Sequence, residues 1–359
     1  MKVLQAIHSY KPYLTHFENK YKINRDEVSF EELKALLLKD RFYAAHLLDP
    51  VLNDTESGFY TMWDYPLLQQ KWAESKGWNE TDLKKILFAQ IEEFKPDVFY
   101  NCSPIRFDAS EINTQISPKI LKVCWFASPE TKHIDFTVYK TRLTNLPPDV
   151  QPNSKLGFRS DLFQPAHDPI MDEIINNTEK STDIFFYGQY SRSYFKKRNA
   201  MIDQLLTYKK KSKFKIELAL QTNTVSKSSY PFSRPTRLKK AFPRKIIHPS
   251  KLVIKNSIQP LYGLDLYKKI ASSKIVFNAA VDFSGKYKVN MRNFESLGLG
   301  AHLISNDGIY LKEFIKGKQF SVYSNFHEFI NIANYMLNNS SESQTIAKAG
   351  NDMVKNKFF

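Results

Sequence analysis

The chain has 359 residues, 42% of them hydrophobic and 14% aromatic, which suits two globular domains and excludes a disordered protein. Its two cysteines, Cys102 and Cys124, exclude a disulfide framework or a cysteine-built metal cluster, and no apolar run approaches the ~20 residues that span a bilayer. A formal net charge of +15 calls for an anionic partner or a solvated basic face.

Lys2–Ile7 is too short an apolar run for a secretory signal and reads as a first strand. With only two cysteines, a cytoplasmic location is the expectation. Leu33, Leu36, Leu37 and Phe42 recur at helical spacing within Glu31–Leu48, and Leu83, Ile86, Leu87, Ile91 and Phe94 do so within Thr81–Phe94. Pro96 follows the second helix, as a helix stop should. Asp97–Asn101 and Lys122–Phe126 are short apolar runs of the kind found in parallel strands covered on both faces. Helices between such strands predict an α/β domain.

Prolines at 147, 148, 152, 165 and 169 break regular structure, so the linker is expected at about 160–180. Asp183–Tyr187 begins a new strand with Gly188 at its tip, followed by a helix at Arg198–Tyr208 and a strand at Lys215–Gln221. Thr222–Lys251 is irregular and basic. Much of the excess charge lies between Arg192 and Lys255, where Asp203 and Glu217 are the only acids. An Asp265–Ala271 helix and a Lys274–Asn278 strand lead into a loop carrying Gly285, Lys286, Lys288 and Arg292. A helix is then expected to open at Phe294-Glu295 and close at Gly300, before a His302–Ser305 strand. Helices at Phe326–Leu337 and Thr345–Lys357 follow.

Cations before a helix whose first turn carries a carboxylate suit a sugar nucleotide. The helix N-terminus and cations attract the diphosphate, and the carboxylate accepts from ribose hydroxyls. The same pattern also fits an ordinary strand–loop–helix–strand unit in which Glu295 complements the helix dipole. The run Asn290–Asp307, NMRNFESLGLGAHLISND, resembles the R-x-F-E motif in the C-terminal domain of GT-B-fold glycosyltransferases, in the branch similar to spore maturation proteins. Asp183–Gly188 with Arg198, and Tyr262–Ala271 before SKIVFN, resemble further parts of that domain in the same order. The resemblance implies two Rossmann-like α/β domains facing across a cleft: an acceptor-side domain at 1–170 and a nucleotide-sugar domain at 171–344. A C-terminal helix at 345–359 would pack back on the first domain. It also implies sugar transfer from a nucleoside diphosphate to a hydroxyl acceptor, such as a surface glycan or lipid-linked oligosaccharide. No cofactor or metal is expected. In the commonest retaining relatives a second glutamate stands eight positions before the matched one; Tyr287 occupies that place here.

Ligands of such folds gather at the C-terminal ends of strands, so the candidates lie there. On the donor side these are Gly188, Arg192, Lys286, Arg292 and Glu295, the arginines and lysine for the diphosphate and Glu295 for ribose. On the acceptor side they are Asn101 and Glu130 for binding, with His8 and Asp135 as catalytic acid or base. The basic face suits an anionic membrane surface, with attachment to the inner face of the cytoplasmic membrane. Two other readings stay open: a nucleotide-sugar epimerase of the same architecture, and a nucleic-acid-binding protein that glycosylates DNA, with Phe214, Tyr230, Phe232 and Phe242 interleaved among the cations.

Overall fold

The computed structural model describes all residues except 44–45, 54–55, 129–133, 151–157, 191–194, 223–250, 282–283 and 359. The chain divides at Pro165/Ala166, inside the expected linker and slightly before the expected 170/171 boundary. Tyr262–Leu264 return to the first unit.

Among the described residues the first unit holds six parallel strands: β1 (Val3–Ile7), β2 (Gly58–Met62), β3 (Val98–Asn101), β4 (Leu121–Trp125), β5 (Thr141–Thr144) and β6 (Arg159–Leu162), in the order β2-β1-β3-β4-β5-β6. β1 lies between two neighbours under helices, and all five of its residues are buried. β2, β5 and β6 were not expected. β5 and β6 are four-residue strands of mixed polarity, each too short to show a period. The helix expected over Glu31–Leu48 stops at Asp40. Ser29 and Glu32 form a capping box at its start, and Arg41 turns left-handed (φ 60°) at its end.

The second unit holds β7 (Thr182–Tyr190), β8 (Ile216–Thr222), β9 (Ser273–Asn278), β10 (His302–Asn306) and β11 (Ser321–Tyr323), all parallel, in the order β11-β10-β9-β7-β8. Phe186, Phe277, Phe329 and Tyr323 anchor its core, together with Leu205, Leu206 and Leu218. The motif helix spans Met291–Gly298, so it opens three residues earlier than expected. Arg292 therefore stands inside the first turn, and Glu295 sits mid-helix. Gly300, at φ +66°, ends it in a Schellman turn: Ala301 N–H donates to Ser296 C=O and Gly300 N–H to Leu297 C=O.

The C-terminal helix spans Ser340–Lys357. It belongs to the second unit and packs on the motif helix, with Met353 and Val354 against Phe294 and Leu297. Asn351 Nδ2 donates to Leu297 C=O (3.3 Å) and Gly298 C=O (2.8 Å). Gly350 lets the two helices approach, since a Cβ there would lie 2.7 Å from Leu297 Cδ2; a Cβ at 298 would instead lie 2.7 Å from Met171 Sδ on the Ile170–Asn176 helix.

Candidate functional site

At the C-terminal end of the second sheet, β7 delivers Tyr187 and Gly188 beside the first turn of the motif helix. The Arg292 guanidinium donates from Nη2 to the Tyr187 carbonyl (2.6 Å) and from Nη1 to Asn278 Oδ1 (2.6 Å). Its plane lies 4.7 Å from the Tyr187 ring centroid. Asn278 ends β9 and is fully buried; its Nδ2 donates to Asn293 Oδ1 (2.8 Å) and Ser305 Oγ (3.0 Å). Asn293 in turn donates to Lys288 C=O (2.8 Å). Arg292 is thus held in place by main chain and amides rather than by a carboxylate. Its Nε is buried with no partner among the described residues, a donor left for something else.

The other end of Tyr187 reaches Glu295. The phenol donates to Oε2 at 2.6 Å, and the carboxylate is 8% exposed. Burial raises the Glu295 pKa, against the opposing pull of the Tyr187 hydrogen bond and the Arg292 charge. Its second oxygen has no bond among the described residues.

A second guanidinium converges here. Arg198, 5% exposed, lies over the rings of Phe186 (5.6 Å) and Phe195 (5.7 Å). Gly188 has φ +141°, and a Cβ there would fall 2.2 Å from Arg198 Nη2 and 2.7 Å from Arg292 Nη2. Only glycine admits both arginines. Two like charges about 4 Å apart repel by about 4 kcal/mol at an effective dielectric constant near 20, so an anion placed beside both would be held favourably. The local backbone agrees. The Lys196–Lys209 helix opens on Lys196, Lys197 and Arg198 with no acid in its first turn, against its own dipole. Phe195 before it is held at φ +59°, a strained conformation for a bulky residue.

Gly188, Arg292 and Glu295 therefore come together as expected. Lys286 does not join them. It is exposed on the loop, its carbonyl accepting from Ile309 N–H (2.8 Å) and its Nζ 5.8 Å from the Tyr287 centroid. Arg192 and Glu130 lie outside the described residues. Sequence reasoning missed Tyr187, Asn278 and Asn293, and used Arg198 only to mark the resemblance. The available signals were a cation run against a helix dipole and an asparagine ending an apolar strand.

In the first unit, His8 follows β1. Its Nδ1 lies 2.9 Å from Ser103 Oγ and its Nε2 3.3 Å from the Tyr43 hydroxyl. Burial lowers its pKa, partly offset by the Asp64 charge. Asp64 also accepts from Ser9 N–H. Asn101 is corrected from sugar ligand to scaffold. It is fully buried, donating to Tyr139 Oη (2.8 Å) and accepting from Ser103 N–H (2.8 Å). Asp135 is exposed, and Thr137 donates to it from N (2.9 Å) and Oγ1 (2.6 Å). Those bonds lower its pKa, away from the range of a base working near neutrality.

A cavity of about 820 Å³ opens at the opposite, N-terminal end of the second sheet, bordered by Glu173, Glu179, Asp265, Lys268 and Lys269. Its charges oppose one another, and Lys269 already donates to Glu217 and Thr182. The convergent groups are at the other end.

Residues 234–359 match the family model described as Glycosyl transferase-like. No curated relative matches the chain. Among solved structures, Anabaena HepE in complex with UDP and glucose aligns with TM-score 0.54 at 11% identity, covering 100% of this chain and 95% of that one. The sucrose-phosphate synthase of Thermosynechococcus elongatus gives 0.51 at 10% identity, covering 100% and 95%. An alpha-glucosyltransferase in complex with UDP and a mismatched DNA 13-mer gives 0.54 at 8%, covering 98% and 94%. The fold is that of the GT-B glycosyltransferases, with two Rossmann-like parallel sheets, and the second unit carries a glycosyltransferase-like domain.

Proposed function

We propose that this chain transfers a sugar from a nucleoside-diphosphate donor to an acceptor hydroxyl. The observation that carries the reading is the convergence of Arg198 and Arg292 on Gly188, with Glu295 held beside them by Tyr187. A diphosphate neutralises the two guanidiniums, and Arg292 Nε offers it a charged donor. Ribose hydroxyls donate to the open oxygen of Glu295. As the glycosidic bond breaks, the leaving diphosphate gains negative charge, and guanidiniums already in place stabilise it without rearranging. The complexes of HepE and alpha-glucosyltransferase with UDP support a uridine nucleotide as the first donor to test.

On the acceptor side, a partly buried histidine with a lowered pKa is neutral at pH 7 and able to take a proton. Ser103 fixes one ring nitrogen, so Nε2 is the atom that faces a hydroxyl, at present that of Tyr43. Asp64 stabilises the imidazolium as it forms. The acceptor we assign is a growing surface glycan or lipid-linked oligosaccharide, made at the inner face of the cytoplasmic membrane.

Calorimetric titration of the purified chain with UDP, GDP and TDP, and of Arg292→Ala and Glu295→Ala, tests the donor site. Micromolar binding by one nucleotide, weakened at least tenfold in both variants, is expected. Absence of binding by all three sinks the reading. The net charge of +15 also favours a second reading, sugar transfer to DNA; steep loss of duplex binding with salt would select it.

A further inference from the structure

We infer that a lobe at the C-terminal end of β9 and β10 docks the chain on an anionic lipid surface. The lobe is made by two loops, 284–290 and 306–318, joined where Lys288 N–H donates to Ile309 C=O (2.9 Å) and Ile309 N–H to Lys286 C=O (2.8 Å). Lys316 Nζ closes it by donating to Asp307 at 2.6 Å. Both loop tips are left-handed glycines, Gly285 (φ +57°) and Gly317 (φ +76°), and each faces open space.

The lobe has its own apolar support. Phe314 and Phe320 are buried with Phe294, and Tyr310 packs on them. Ile309 (43% exposed) and Ile315 (48%) are left outside that cluster. Single exposed aliphatics are ordinary on any surface. Two on one projecting lobe, set among five lysines against two acids, are a more specific combination. Both acids already lie near lysines: Asp307 with Lys316 and Glu313 with Lys312. Lys286, Lys312 and Lys318 are exposed. Aliphatic side chains that enter the acyl boundary, with lysines at headgroup level, are what a peripheral membrane contact requires.

Other occupants fit less well. Phe314, Phe320 and Tyr310 pack inward, leaving Tyr287 as the lobe's one aromatic outside that cluster, and the lobe presents no arginine, so a nucleic acid would find no row of stacking rings and no fork. A second copy related by a two-fold axis would set lysines against lysines. The inference stands on the lobe alone and does not depend on the transferase reading. If both hold, the donor site opens at the same end of the sheet that meets the lipid.

The test is co-sedimentation of the full chain with phosphatidylcholine vesicles and with vesicles containing phosphatidylglycerol. Uptake by the anionic vesicles alone is expected. The triple variant Lys312→Ala, Lys316→Ala, Lys318→Ala should weaken partitioning by about two orders of magnitude. The Ile309→Ser, Ile315→Ser pair should weaken it by about tenfold. Lys210→Ala, Lys211→Ala, Lys213→Ala, on another basic stretch, should bind as the parent does. Circular dichroism of each variant reports the fold, and nucleotide titration the donor site, separately from lipid uptake. The inference is overturned by no uptake, by equal uptake on neutral vesicles, or by lobe variants that still bind. It is equally overturned by duplex DNA binding without vesicle binding, or by a dimer that the isoleucine changes dissolve while lipid is ignored.

Discussion

Gly188→Ala is the most searching perturbation of the proposed donor site, because it adds one methyl group and removes no charge. The new Cβ would meet Arg198 Nη2 at 2.2 Å and Arg292 Nη2 at 2.7 Å, so both guanidinium tips must retreat by about 1 Å. For Arg292 that retreat breaks the bond to Tyr187 C=O, a charged hydrogen bond of about 1.5–3 kcal/mol. The backbone at φ +141° adds about 1–3 kcal/mol of strain for any side chain. Nucleotide affinity should fall about 10–100-fold, the equivalent of one aligned guanidinium–phosphate contact. Gly285→Ala is the control: φ is +57°, but nothing stands within 4 Å of its Cβ. It should cost about 1 kcal/mol of stability and leave affinity alone. Denaturant unfolding and calorimetric titration of both variants give the comparison. Should Gly188→Ala bind like the parent, or Gly285→Ala lose as much, the arginines are not what holds the phosphates.

Glu295→Gln should raise the thermal midpoint while weakening nucleotide binding. Glu295 has a folded pKa above its unfolded value, so its contribution is favourable at low pH and is lost as pH rises through the folded pKa. The amide removes that penalty, keeps an acceptor for Tyr187, and makes a weaker partner for ribose. In the pH–rate profile, His8 should keep kcat/KM high to below the ordinary imidazole range, since burial favours its neutral form. Ser103→Asp, by placing a carboxylate on Nδ1, should move the acid limb upward, and an unmoved limb excludes His8 as the base. His46 and His302 are both buried with pKa values lowered to about 4 from 6.5. Each holds stability that is complete above pH 6.5 and lost as pH falls towards 4, about 3 kcal/mol apiece. Unfolding free energy measured between those pH values should drop steeply, and His302→Gln should flatten part of the slope.

The strands legible in the sequence were the apolar ones. β1, β3, β7 and β9 are buried on both faces, so their composition alone marks them. β5 and β6 are four residues each, of mixed polarity and mixed burial, and left no period to detect. The motif helix was placed late because Met291 and Arg292 look like the end of a basic loop. Their place in the first turn is set by tertiary bonds from Arg292 to β7 and β9. For the same reason Asn101 was misassigned. A polar residue at a strand tip looks alike in sequence whether its amide faces a ligand or, as here, holds Ser103 and Tyr139. Glu295 and Arg292 were found because acid and cation share a short motif. Arg198 stands almost a hundred positions away, and only the sheet brings it to them.

Tyr187 serves the two halves of that pocket through chemically independent parts of one residue. Its carbonyl belongs to the strand and would be present whatever side chain stood there, while its phenol is specific to tyrosine. Drift at position 187 would therefore loosen the carboxylate and take the ring face from Arg292, while the guanidinium's bond to the main chain persists. On the proposed donor reading, a lineage built on this fold has room to change its grip on the sugar of the nucleotide while one guanidinium keeps its main-chain bond.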